Sequence, residues 1–159
     1  MYLENAKTIV IKIGSSILID EKKKIREKWL SEFSKDIKDL KKKGKNIILV
    51  SSGAIALGCK ALGLNKKNLK LEKSQAIASI GQIELMNLFK KKFNSRKINI
   101  SQILLTLEDT EKRRRAINAK RTFENLFKLD YIPIVNENDT IATSEIKYGD
   151  NDRLASRVA

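Results

Sequence analysis

The chain has 159 residues, 33 Lys+Arg against 19 Asp+Glu, a formal charge of +14 and 42% hydrophobic residues. This is the size of one domain with a core of its own and a long-range attraction for anions such as phosphates, carboxylates or nucleic acid. With no histidine, Ser-His-Asp and Cys-His triads, imidazole general bases and His-containing zinc sites are excluded.

The elements follow in chain order. Residues 7–13 form a β-branched run that ends at Gly14-Ser15-Ser16, a strand entering a glycine turn. Over 26–43 the period changes: Trp29, Phe33, Ile37 and Leu40 fall on one helical face, and Gly44 sits at the stop. A second strand, 46–51, leads through Ser52-Gly53 into a small-residue helix over 54–62. Beyond a loop at 65–70, a longer helix places Ile77, Ile80, Leu85, Leu88 and Phe89 on its apolar side, and Gly81 within it predicts close packing against another element. A third strand spans 98–106. An amphipathic helix carries Ala116, Ala119, Phe123, Leu126 and Phe127, and 131–135 is a fourth strand. After Gly149-Asp150-Asn151 another helix begins, with Leu154, Ala155 and Val158 on its apolar side, and the chain stops about two turns in.

Strand and helix alternate throughout, so the expected fold is α/β, a three-layer sandwich with a mainly parallel central sheet, and ligands should gather at the C-terminal ends of the strands. No repeat, linker or domain boundary interrupts 1–159. A helix cut short at Ala159 without a stop signal leads to the expectation that the functional unit continues. Cys59 has no partner for an internal disulfide and reads as packed core. Together with the lack of an apolar signal segment, it points to a reducing, cytoplasmic setting. No apolar run approaches membrane-spanning length.

Four places carry chemistry. An ammonium at Lys12, between Ile11 and Ile13, either faces solvent from a half-exposed strand or meets a phosphate at the strand end. Gly14-Ser15-Ser16 favours the second reading, because a positive φ at glycine lets successive N–H groups converge on an anion. Ser51-Ser52-Gly53 repeats the device ahead of a helix N-terminus, where the alternative is an ordinary serine cap. Asn136-Glu137-Asn138-Asp139 after the fourth strand, and Gly149-Asp150-Asn151-Asp152, are either local turn chemistry or a site for a substrate ammonium or carboxylate-bound Mg²⁺. The basic run 112–115 lacks interleaved aromatics, which argues for solvated helix faces and against a single-strand nucleic-acid platform.

Taken together, Ile11-Lys-Ile-Gly-Ser-Ser16, Val50-Ser-Ser-Gly-Ala-Ile-Ala56, Ala78-Ser-Ile-Gly-Gln82, Gln102-Ile-Leu-Leu-Thr106, Ile134-Val-Asn-Glu-Asn-Asp139 and Tyr148-Gly-Asp-Asn-Asp152 resemble the amino acid kinase family, in its glutamate-phosphorylating branch. The resemblance covers essentially the whole chain. It implies phosphorylation of the side-chain carboxylate of L-glutamate by ATP with Mg²⁺, giving glutamyl 5-phosphate, the first committed step toward proline. A carboxylate is already ionised at neutral pH, so such a reaction needs no general base, only alignment and cancellation of charge.

Carried over residue by residue, the resemblance makes Lys12 the catalytic group on the transferred phosphoryl, with the Gly14 and Ser15 amides near the ATP phosphates. Ser52 and Gly53 would hold glutamate near its reacting end. Asp139 and Asn151 match glutamate-binding positions, Asn136 is a further candidate, and Asp150 and Asp152 support them; no protein metal ligand is assigned. The family's later Thr-Asp strand end and glycine-rich, lysine-bearing loop are not in this sequence. The expectation is therefore the N-terminal, glutamate-binding part of such a domain, weakly active or inactive alone. Proline as feedback inhibitor and a homo-oligomer, dimer or tetramer, are implied as partners, with no nucleic acid and no membrane. The competing readings are another carboxylate or carbamate kinase of the family, and a non-catalytic domain that binds glutamate or proline.

Overall fold

The computed structural model describes residues 2–20, 24–65, 69–141 and 150–159. The β-branched runs become strands β1 (Thr8–Ile13), β2 (Asn46–Ser51), β3 (Asn99–Leu105) and β4 (Tyr131–Glu137). Around them lie helices α1 (Tyr2–Asn5), α2 (Ser15–Leu18), α3 (Glu27–Lys42), α4 (Ala54–Ala61), α5 (Leu71–Asn94), α6 (Leu107–Glu111), α7 (Arg113–Lys128) and α8 (Asp150–Val158). The strands form one parallel sheet in the order β1-β2-β4-β3, with Lys12 opposite Val50, Leu49 opposite Ile134 and Leu104 opposite Asn136. Parallel neighbours require helical crossovers, and the crossovers cover both faces.

Side chains alternate along each strand, so the two faces can be followed residue by residue. Ile9, Ile11, Ile13, Ile47, Leu49, Ile132 and Ile134 meet Leu30, Ile37, Leu85, Phe89 and Phe93 of α3 and α5. Val10, Ile48, Val50, Ile103 and Val135 point the other way, to Phe123 of α7 and Leu154 of α8. The expected three-layer α/β sandwich with a parallel sheet is the fold observed.

In α3 the predicted stripe is the flank of the buried one: Leu30, Ser34 and Ile37 are innermost. Trp29 and Phe33 stack beside them with ring centroids 5.0 Å apart. In α5, Gly81 does what its position predicted. A Cβ there would lie 1.7 Å from the carbonyl oxygen of Ala54, and one on Gly58 would lie 2.1 Å from that of Ile77, so α4 and α5 cross backbone against backbone. Ile80, expected on the apolar side, is instead 40% exposed. At 3.6 residues per turn it falls roughly 60° outside the arc from Ile77 to Phe93 that the crossing buries.

Candidate active site

Every strand of a parallel sheet ends at the same edge, and that edge gathers the chemistry. Lys12 is the last residue of β1 on the α8 side. Its Nζ stands 2.8 Å from Oδ1 of Asp152, in the first turn of α8. Nothing in residues 8–13 announces this partner, 140 positions away; it arises because Leu154, 1% exposed, seats α8 against Val50 and Val135. Lys12 thus neither points freely into water nor stands isolated in the apolar layer.

The loops after β1 and β2 touch. The Ser52 N–H donates to the carbonyl of Ile13 at 3.0 Å, which extends the β1–β2 pairing to the loop itself. A Cβ on Gly53 would lie 3.6 Å from Cβ of Ser15. The left-handed backbone sits here, at Gly53 with φ 116°, where it starts α4 with no side chain capping the first amides. Gly14, expected to use positive φ, is extended at φ −73° and opens the one-turn helix α2. A Cβ on Gly14 would stand 3.6 Å from Nζ of Lys12, an ordinary contact, so neither backbone angle nor space demands glycine at this position.

The strand β4 runs two residues further than its apolar pattern, so Asn136 and Glu137 lie in the strand and only Asn138-Asp139 follow it. Asn136 is 2% exposed and on the α5 side. Its Nδ2 donates to Oε1 of Gln82 on α5 at 2.8 Å, while Asn136 Oδ1 and Gln82 Nε2 are buried and unpartnered. Beyond them the Asn138 N–H donates to the carbonyl of Leu105 at 2.9 Å, and the Thr140 hydroxyl to Oδ1 of Asn138 at 2.6 Å. A cavity of about 150 Å³ opens there, lined by Gln82, Leu104, Asn138 and Asp139 among others.

At the end of β3, Thr106 caps α6. Its N–H and hydroxyl both donate to Oδ2 of Asp109 at 2.8 Å, and the Asp109 N–H donates back to Thr106 Oγ1. Partial burial raises the Asp109 carboxyl, but the Thr106 bonds and the Arg115 guanidinium outweigh it and hold the group below the ordinary aspartate range. Lys112 pairs with Glu108, and Arg115 with Asp109 at 2.8 Å, so half of the basic run 112–115 is neutralised on its own surface.

The sequence-derived residues Lys12, Gly14, Ser15, Ser52, Gly53, Asn136, Asp139, Asn151 and Asp152 all fall at this edge. Asn151 carries a buried, unpartnered Oδ1. Asp150 starts α8, but its side chain, like Tyr148 and Gly149 of the same motif, lies outside the described residues. The sequence reading assigned no role to Gln82; a carboxamide in an otherwise small and apolar stretch, Ala76 to Ile83, was the available signal. The capping box at Thr106 was also missed, although Thr-x-x-Asp is its written form. Among the described residues no group of three or more His, Cys, Asp or Glu side chains could hold a metal ion, and no helix is long and apolar enough to cross a membrane.

A parallel α/β sheet whose strand ends present an ion-paired lysine and two touching small-residue loops points to a class of protein, and comparison agrees. The model of the amino acid kinase family matches residues 7–159, and the chain belongs to that family. The particular relatives are named Glutamate 5-kinase: that of Pelagibacter ubique (strain HTCC1062) is 76% identical over 159 residues, and that of Ruegeria sp. (strain TM1040) 53% over 158. The chain spans 43% of the length of each. Among solved structures, a carbamate kinase from Giardia superposes with a TM-score of 0.61 at 12% identity, covering 96% of this chain and 70% of that one. An aspartate kinase from Synechocystis gives 0.59 at 11%, covering 96% and 26%. At such identities these two likenesses concern the fold alone.

Proposed function

We propose that these residues are the glutamate-binding part of an ATP-dependent glutamate 5-kinase, which transfers a phosphoryl group to the side-chain carboxylate of L-glutamate in a cytoplasmic route to proline. The observation that carries the reading is the Lys12–Asp152 pair set beside the touching Gly14-Ser15 and Ser52-Gly53 loops at one sheet edge; the identity to the relatives named above supports the choice of substrate. When bound, ATP supplies the γ-phosphoryl group, and Mg²⁺ neutralises its charge.

The carboxylate oxygen of glutamate forms its bond to phosphorus as the bond to the ADP oxygen breaks, and no proton needs to move. Two negative groups must nevertheless meet. Lys12 is the cation that offsets their repulsion as charge builds on the transferred oxygens, and Asp152 holds its ammonium at a fixed point without a side-chain search. Ser52 and the first amides of α4 face the reacting end of glutamate; Asn136, Asp139 and Asn151 hold its amino-acid end. Mg²⁺ would be held chiefly through phosphate oxygens and waters, which fits its usual coordination. On the family resemblance, most nucleotide contacts belong to the Thr-Asp strand end and the lysine-bearing loop, which are not in these 159 residues. Proline, an α-amino acid with a secondary ammonium, would act as feedback inhibitor at an overlapping region.

Calorimetric titration of the 159-residue chain tests this. Saturable binding of L-glutamate, weakened at least tenfold by Ser52→Ala, is expected, with no micromolar affinity for ATP. Absence of glutamate binding overturns the substrate; micromolar ATP binding overturns the division of labour.

A further inference from the structure

Two carboxamides that make one hydrogen bond with each other leave one NH₂ group and one carbonyl oxygen over, whichever way either amide is turned. In Gln82 and Asn136 both leftover groups are buried and unpartnered. Each such group is costly relative to a satisfied one, and Asn136 is 98% withdrawn from water, the last of five consecutive buried residues of β4. A pair whose only task was to join α5 to β4 would be better replaced by apolar side chains of the same shape. The two groups left over are complementary to a ligand that brings one acceptor and one donor side by side, which is the carboxylate and ammonium of a free α-amino acid.

We propose that Gln82 is a specificity-determining residue, whose amide N–H binds the α-carboxylate of the amino-acid substrate while Asn136 Oδ1 accepts from its α-ammonium. The inference rests on the glutamate site proposed above and names a residue not assigned there. A cavity adjoins the pair, with Gln82 and the residues that follow Asn136 in its lining and Asn136 itself outside it. At about 150 Å³ it is well under the ~300–1,000 Å³ of drug-sized sites and suits a head group. Asp139 lines it as well. The pairing also explains a polar residue one position after Gly81, where α4 and α5 pack too tightly for any side chain: the crossing fixes the helix rotation, and that rotation brings residue 82 to β4.

The test compares L-glutamate with glutarate, which lacks the ammonium, and 4-aminobutyrate, which lacks the α-carboxylate, by calorimetry on the unaltered chain, Gln82→Met and Gln82→Glu. The unaltered chain is expected to prefer L-glutamate to either analogue by about 10- to 100-fold, the range of one buried group left unpaired. In Gln82→Met the preference over 4-aminobutyrate should collapse toward one while that over glutarate persists. Gln82→Glu keeps the acceptor for Asn136 Nδ2 but sets a like charge against the α-carboxylate, so 4-aminobutyrate should bind better than L-glutamate. A purely structural role would lower all three affinities together and leave the ratios unchanged. That result, or an unaltered chain that binds L-glutamate and 4-aminobutyrate equally, overturns the role of Gln82 and leaves the kinase reading standing. An unaltered chain that binds no L-glutamate overturns both.

Discussion

On the α3 and α5 side, the sheet is covered by a continuous apolar layer from Ile13 and Leu30 to Phe89 and Phe93, and α4 lies so close to α5 that two glycines meet two carbonyls. On the α7 and α8 side the buried set is Ile48, Val50, Phe123, Val135 and Leu154. A cavity of about 450 Å³ there is bounded by Leu105, Phe123, Phe127 and Val158 among others. The site draws on both. Gln82 and Asn136 come from the tightly packed side, where a position can be held to fractions of an ångström. The Lys12–Asp152 pair comes from the loosely packed side, where Leu154, with Ala155 and Val158 beside it, seats the helix that carries the carboxylate. On the proposed function, recognition would rest on the rigid face, and the charge offered to the phosphoryl group on the more yielding one.

The contrast can be broken most sharply at Gly81. Gly81→Ala places its Cβ against the backbone of Ala54 and Gly58, which cannot swing aside, so the helices must part. A loss of about 4 kcal/mol or more in urea unfolding is expected, despite the higher helix propensity of alanine. Leu154→Ala, on the other face, should cost about 2–3 kcal/mol, since the adjoining space lets neighbours relax. Hydrogen exchange in this variant should quicken in α8 and leave α5 unchanged; equal quickening in both would deny the difference between faces.

The smallest effect is expected at the α6 cap, where Asp109→Ala should remove about 1 kcal/mol. Because the folded carboxyl ionises below its unfolded value of about 3.9, its contribution is present in full above that pH and fades as the pH falls through the folded value. The gap between unaltered and variant chains should therefore be constant near neutrality and close in acid. A gap that widens on acidification would contradict the cap geometry.

Much of this was legible beforehand. The four strand runs, the helical stripe around Ile37, the close approach at Gly81 and the gathering of Lys12, Ser52, Asn136 and Asp139 at one edge follow from period, glycine placement and the rule that parallel strands end together. Errors came where a local pattern met a tertiary demand. Ile80 has the spacing of a core residue, but the α4–α5 crossing decides which arc is buried. Gly14 reads as a positive-φ glycine, yet the left-handed backbone sits at Gly53, on the neighbouring loop, and Gly14 is extended. Apolar runs as similar as those of β1 and β2 do not say which is the edge strand, because that depends on where β4 inserts.

The residue pattern by itself determined the class of fold, the end of the sheet where ions are met, and the exclusion of imidazole chemistry, since these depend on side-chain type and on spacing within single elements. Tertiary structure alone decided that Lys12 has Asp152 for a partner and Asn136 has Gln82. These contacts span 140 and 54 positions, and an orphaned donor or acceptor exists only once packing has removed the water that would otherwise satisfy it.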